Sequence, residues 1–491
     1  MSTPSPPQQK TVFGLPPKVL RLGEMYLLGA VFLGLCAIVL SFVLPYAWIA
    51  GFAVAGAVAA LLAIFLGGTR VCYPLYFAGL VGTPLVLPGI PVSLNQGLAA
   101  ILFGAFCVDL LKHDVRLRWS IPLGVFLAFQ AYYIPAAIIL RPEGADLPDH
   151  QIFYILLTLI VVLLYWKRER IHFLVQAMVF LSFLLIVPPG LIEFALGVDV
   201  TPSGITGATD RIDGLAKDSI QYSFTALWSM ALALFLFVEA RNPFSKLTYG
   251  TIALSLAFVA LITLNRQTPA LLAGMIVVFL LLIRYRWRPL LIGALVLAAA
   301  AVSPLVVMQV VERFTTARAI LMDHSLTMRH DKAQIAREMI AAHPVTGVGH
   351  NHFRHLWRQY TPLGGRLYVM HESMVEEHYI DLGYLQIVTE YGILGALIFL
   401  ILIVSCFIYW YRLYKWSLRF PGTWHTNYLA AMAALFAQLL LSLLLQDTFT
   451  IPRTYILFGL LFAALPIVEA ERRRLELQHA EAPDNNAPEK A

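Results

Sequence analysis

The sequence predicts an all-α, polytopic membrane protein, and three observations predict it. Hydrophobic residues make up 59% of the 491 positions and charged residues only 13%, about half of the charged share of an ordinary soluble domain. Runs of spanning length recur along the whole chain. The basic residues are distributed asymmetrically between the intervening loops. With a mean hydropathy of +0.74, this pattern excludes a soluble enzyme, a disordered chain and a disulfide-stapled secreted domain.

The first 24 residues hold Pro4, Pro6, Pro7, Lys10, Lys18 and Arg21 and read as a cytoplasmic tail before a retained signal anchor. Apolar runs of about 20 residues then predict spans at 25–44, 46–66, 71–90, 93–111, 119–140, 150–166, 171–188, 218–239, 247–264, 267–283, 289–310, 384–411, 426–446 and 453–469. The total is about 14, with 12–14 as the range. The runs 71–90 and 150–166 are the weakest, the first because Pro74, Pro84 and Pro88 interrupt it. This divides the chain into membrane helices over 25–310 with an external loop at 189–217, a large periplasmic loop domain at 311–383, membrane helices over 384–469 and a cytoplasmic tail at 470–491.

Charge sets the orientation. With the N-terminus inside, 22 of the 35 Lys and Arg residues fall in inside segments and 13 outside, eight of these in the loop 311–383. The net charge of +6 therefore records topology, not nucleic-acid binding. Cys36, Cys72, Cys107 and Cys406 lie in apolar runs and read as small buried hydrophobes. The span cores carry almost no ionisable group, which argues against an ion-coupled or bicarbonate-type transporter. Glu390 lies about two turns into its span, near the external face. No P-loop, dinucleotide fingerprint or HExxH motif is present, so the chemistry is expected at the external surface.

Three external arginines stand out there. Arg211 lies in GATDRIDGLAKDS, Arg266 in the tight turn TLNRQTPA, and Arg329 opens TMRHDKAQIAREMIAA, which has Met328, Ile335, Met339 and Ile340 at helical spacing. Guanidinium forks match phosphate oxygens bidentately, so together they make a candidate pyrophosphate clamp; interfacial snorkelling or pairing with Asp210 or Asp213 is the bland alternative. The loop holds eight of the thirteen histidines, among them His350, His352 and His355 in GHNHFRHL and His371 and His378 in HESMVEEHYIDLGYL. No metal-ligand spacing emerges, and a general base is the preferred reading. Tyr379 and Tyr384 are candidates to stack on a sugar, against a reading as interfacial aromatics.

At these residues the chain resembles a known family. RHDKAQIAREMIAAHPVTGVGHNHF is similar to an Arg, a short helix and then hPxxGxGxxxF, and DLGYLQIVTEYGILG to HNxYLxxxxExGxxG. Arg211 with Gly214 resembles an RxxG step, and Asn265-Arg266 resembles a short-turn Ser-Arg. The ordered set, over roughly 200–400, resembles the O-antigen ligase / O-antigen polymerase superfamily. The resemblance implies a GT-C-like glycosyltransferase of the bacterial inner membrane that needs no cofactor and no metal. Its donor would be a glycan on undecaprenyl pyrophosphate, and its acceptor another lipid-linked repeat, lipid A–core or a protein hydroxyl. Implied partners also include membrane lipid and a chain-length regulator, with nucleic acid not among them. By the same resemblance, Arg211 and Arg266 bind the pyrophosphate, with Arg329 as a third candidate. The family's His-Asn position falls on Asp381-Leu382, a substitution closer to the polymerases. Asp381 is then the first candidate base and His378, one helical turn upstream, the second. Glu390 is assigned to orient an arginine or an acceptor hydroxyl, and Tyr384 and Tyr379 to contact sugar.

Overall fold

The computed structural model describes residues 64, 67–81, 94–112, 119–142, 149–165, 167–196, 219–263, 265, 267–283, 293, 324–361, 380, 382–419, 424–444 and 452–481. They are helical, and no strand occurs among them. In chain order the helices are α1 Gly68–Val81, α2 Leu94–Lys112, α3 Ile121–Ile139, α4 Asp149–Leu164, α5 Arg168–Leu196, α6 Ser219–Glu239, α7 Pro243–Ile262, α8 Thr268–Leu282, α9 His324–Ala342, α10 Phe353–Leu356, α11 Gly383–Ser417, α12 Trp424–Leu443 and α13 Pro452–Glu481. A 3-10 turn, Trp357–Tyr360, follows α10.

Seven of these (α3, α5, α6, α7, α11, α12 and α13) are long and apolar enough to cross a membrane, and α2, α4 and α8 contain shorter apolar stretches. Each lies on a span predicted from the sequence. The predicted spans 25–44, 46–66 and 289–310 fall on residues outside those described, apart from 64 and 293.

The chain forms two compact units, Met1–Val115 and Arg116–Ala491. In the first, α1 packs on α2. Asp109 of α2 accepts from the Thr69 amide at 2.8 Å and from the Thr69 hydroxyl, satisfying the start of α1 from the neighbouring helix.

In the second unit, α6, α12 and α13 are the interior helices, with 78%, 72% and 83% of their spanning windows buried, whereas α7 and α11 are peripheral at 28% and 33%. On α11 the exposed side chains Leu397, Leu400, Ile401, Val404, Ile408 and Tyr411 recur at helical spacing, as a lipid-facing stripe requires. Helix α3 packs on α11, and Phe126 meets the rings of Phe458 and Phe462 of α13 at 5.6 and 5.3 Å.

Two features differ from the sequence expectation. The span predicted to stop at 188 continues as α5 to Leu196, through Pro188 and Pro189 and into the stretch expected to be loop. The prolines remove two amide donors, and the Tyr222 hydroxyl of α6 donates to the nearby Ile186 carbonyl. The amphipathic helix predicted over 327–342 starts earlier, at His324, and ends where expected, before His343-Pro344. Its Ile335, Ala336 and Met339 bury against Val348, Phe353, Trp357 and Ile380 in a small core of its own.

Helix α11 is broken inside. Gly392 has φ 64° and ψ −171°, a region that essentially only glycine occupies. The loop after α9 fills the break. Val348 and Gly349 amides donate to the Thr389 and Glu390 carbonyls at 3.0 and 2.9 Å, and the Ile393 and Leu394 amides donate to the Pro344 and Val345 carbonyls at 2.9 and 3.3 Å. A side chain on Gly392 would run into the Val345 carbonyl, and a Cβ on Gly347 (φ 69°) would lie 2.5 Å from the Glu390 carbonyl. Gly392→Ala is therefore expected to destabilise the fold by about 1–3 kcal/mol from backbone strain alone. Thermal unfolding in detergent should show a lowered midpoint, and limited proteolysis should show faster cleavage within 343–361.

Candidate functional site

Two polar corners lie at the same end of the second unit. The first is built by the α7–α8 turn. Asn265 Oδ1 accepts from the Gln267 amide at 3.3 Å, an Asx-type local bond that sets the turn. Asn265 Nδ2 donates to Ser223 Oγ at 3.3 Å. The residue before Arg266 is thereby tied to the first turns of α6, the helix that Arg211 precedes in sequence. Arg211 and Arg266 themselves fall outside the described residues. Glu193, in the last turn of α5, is 7% exposed and lies within electrostatic reach of Tyr222 at this corner.

The chain connects this corner to the second through α8, α12 and α11. Gly274 of α8 packs against Leu441 of α12, and Tyr384 of α11 donates its hydroxyl to the Leu440 carbonyl at 3.1 Å. The Tyr384 hydroxyl thus holds α11 to α12, while the stacking on a sugar expected of this residue concerns its ring.

The second corner is the break in α11. Glu390, 1% exposed, is the residue whose carbonyl the loop caps, and its carboxylate turns into the protein. His350 Nδ1 stands 3.4 Å from Glu390 Oε2, a close contact and not an aligned hydrogen bond, and 2.8 Å from the Tyr391 hydroxyl. The imidazole keeps 10% of its side chain exposed and the carboxylate behind it 1%. Helix α3 closes the far side. The Tyr133 ring centroid is 4.8 Å from those of both His350 and Tyr391, and the Tyr132 hydroxyl donates to the Tyr391 carbonyl at 2.9 Å. Buried polar atoms without a hydrogen-bond partner occur here: both amide atoms of Gln130 and Glu390 Oε2. Each such orphan costs about 1–3 kcal/mol, so the concentration of several at one junction marks it as a place for polar ligand or water.

The loop histidines divide by role. His352 is 3% exposed, and its Nδ1 donates to the Val348 carbonyl at 2.9 Å. His343 Nε2 lies 2.9 Å from the Tyr360 hydroxyl, and both bonds hold the loop shape. Arg329 is half-buried in the second turn of α9. Asp381, His378 and Tyr379 lie outside the described residues, while their neighbour Ile380 is part of the small α9 core. Among the described residues no three His, Cys, Asp or Glu side chains stand together as metal ligands would.

His350 as the partner of Glu390, and Gln130 and Tyr133 as its surroundings, were not anticipated from the sequence. The available signal was the polar stretch Gln130–Tyr133 inside an otherwise apolar span.

Residues 252–400 match the family model Wzy_C, described as O-antigen ligase. The matched segment runs from within α7, through the turn at Asn265, α8, α9 and the capping loop, to the middle of α11. No curated protein matches the chain.

Burial holds the His352 imidazole below the ordinary histidine value of 6.5, while its bond to Val348 and the Glu390 charge pull it upward. A histidine neutral when folded and protonated when unfolded contributes stability that is complete above the unfolded value and lost as pH falls below it. The loop should therefore be fully docked above pH 6.5 and progressively less so below, as read by hydrogen exchange of the Val348 and Gly349 amides. His352→Gln should flatten that dependence.

Proposed function

We propose that this chain, an O-antigen ligase/polymerase-type membrane enzyme by its Wzy_C segment, polymerises oligosaccharide repeats carried on undecaprenyl pyrophosphate. The repeats would belong to O-antigen or exopolysaccharide, and the reaction would run at the periplasmic face of the inner membrane. The observation that carries the reading is the family match over 252–400, whose two quoted motifs meet backbone to backbone at the α11 break. A GT-C-like architecture of about 14 spans is part of the same proposal.

In the proposed reaction the acceptor hydroxyl gives its proton to Asp381, with His378 as second choice. Its oxygen bonds to the donor's anomeric carbon as the bond from that carbon to the pyrophosphate oxygen breaks. The electron pair leaves with the pyrophosphate, and Arg211 and Arg266, with Arg329, stabilise the charge that develops there. Glu390, acting through His350, orients the acceptor, and Tyr384 and Tyr379 line its approach. The polyprenyl tail lies between spans, and no metal enters the mechanism.

A second reading is an O-antigen ligase that transfers the glycan to lipid A–core or a protein hydroxyl. The matching family's description favours it; Asp381-Leu382 in place of His-Asn favours the polymerase. Deleting the gene separates them: single repeats on the cell surface are expected for a polymerase, and unjoined long polymer for a ligase.

Arg266→Lys keeps the charge but loses the bidentate fork. In purified protein given lipid-linked repeats it should lower turnover at least about tenfold, and a wild-type rate would remove Arg266 from the clamp. Asp381→Asn should reduce turnover by about a hundredfold or more. If only His378→Ala does so, the base is His378; if neither does, the base lies elsewhere.

A further inference from the structure

We infer that the end of the second unit opposite the α11 break holds a binding site for an anionic phospholipid whose headgroup carries hydroxyls. Three helix starts meet there: α5 at Arg168, α7 at Pro243 behind its cap Asn242, and α12 at Trp424. Their amide ends carry partial positive charge. The basic side chains Lys167, Arg168, Arg170, Arg241 and Lys246 outnumber the acidic Glu169 and Glu239.

Arg168 is the centre of this end. Its guanidinium lies 4.8 Å above the Trp424 ring and 4.0 Å from Glu239 Oε2, and its side chain is 51% exposed. Among the described residues it makes no hydrogen bond. The acid beside it does not compete for that role, because Glu239 faces inward at 15% exposure and accepts from Asn427 Nδ2 at 2.7 Å. A planar cation stacked on an indole at the start of a span, with half of its side chain exposed, is suited to a phosphate at headgroup depth.

Independent of that cation, the first turns of α12 bury polar atoms with nothing to bond. Both ring nitrogens of His425 (4% exposed), Asn427 Oδ1 (4%) and the Tyr428 hydroxyl (1%) lack a partner. The His425 ring is 4.7 Å from the Trp424 ring that Arg168 covers, so the orphan imidazole adjoins the cation. A phosphate alone satisfies Arg168. An acceptor such as Asn427 Oδ1 needs a donor, and His425 needs one of each, which hydroxyl groups supply. The two halves together call for a phosphodiester bearing hydroxyls, as in a glycerol headgroup, rather than a carboxylate-bearing or zwitterionic one.

The test uses full-length protein in nanodiscs of phosphatidylcholine doped with phosphatidylglycerol or phosphatidylserine, with bound lipid read by native mass spectrometry. Phosphatidylglycerol should be retained at least about tenfold over phosphatidylcholine and several-fold over phosphatidylserine. Equal retention of all three overturns the site, and equal retention of the two anionic lipids overturns its hydroxyl specificity. Arg168→Gln should abolish the preference and Arg168→Lys retain part of it. Because wild-type selectivity needs no variant, poor folding of Arg168→Gln leaves the result decisive. Inorganic phosphate at about 10 mM should leave the lipid bound; displacement would show a soluble phosphate site and overturn the lipid assignment.

Discussion

The capping of the α11 break by residues 344–349 is the constraint on which the rest of the second unit's functional end depends. Within a bilayer no water is present to satisfy free backbone groups, so irregular backbone persists only where protein pairs it. At Gly392 the break exposes carbonyls on one side and amides on the other. The loop meets both, donating from Val348 and Gly349 and accepting through Pro344 and Val345. A segment outside the spans is thereby made part of a membrane helix. Helix α9 gains its position from the same joint, because its small core includes Val348, itself a capping residue, and Phe353 just beyond the cap.

The break also decides what Glu390 is. In a continuous helix it would be one more intramembrane acid needing a partner. Here its carbonyl belongs to the cap, and its carboxylate lies beside the imidazole that the cap delivers. The rings of Tyr133, Tyr391 and Phe129 stand together beside this pair, and the low polarity of such an enclosure strengthens electrostatic interactions inside it. The unpartnered amide of Gln130 and the Tyr133 hydroxyl beside it make the junction polar and roofed by rings, a combination suited to hydroxylated ligands.

The opposite end is organised differently. Among the described residues it shows no backbone break; helix starts, tryptophans and arginines gather at one level, as at a membrane–water interface. The second unit is thus polar at both ends for different reasons. At one end a chain interruption is repaired, and at the other cations and interfacial rings collect.

Much of the helical architecture was legible because a span announces itself by length and composition alone. The helices α6, α7, α8, α11, α12 and α13 lie where apolar runs placed them. The stop at Pro188-Pro189 misled, since a proline's lost hydrogen bond reads as a terminus, whereas here the helix runs on to Leu196 and packs beside α6, whose Tyr222 hydroxyl donates to the Ile186 carbonyl. The motifs PVTGVGHNHF and TEYGILG were visible as separate strings. That they form one joint was not, because the pairing runs through backbone atoms that every residue shares. The sequence by itself determined which segments must leave water and which charges must stay in it, since both follow from transfer energies of single residues. Only the tertiary structure decided that His350 stands against Glu390 and that Arg168 covers Trp424, because such partnerships depend on how helices distant in the chain pack.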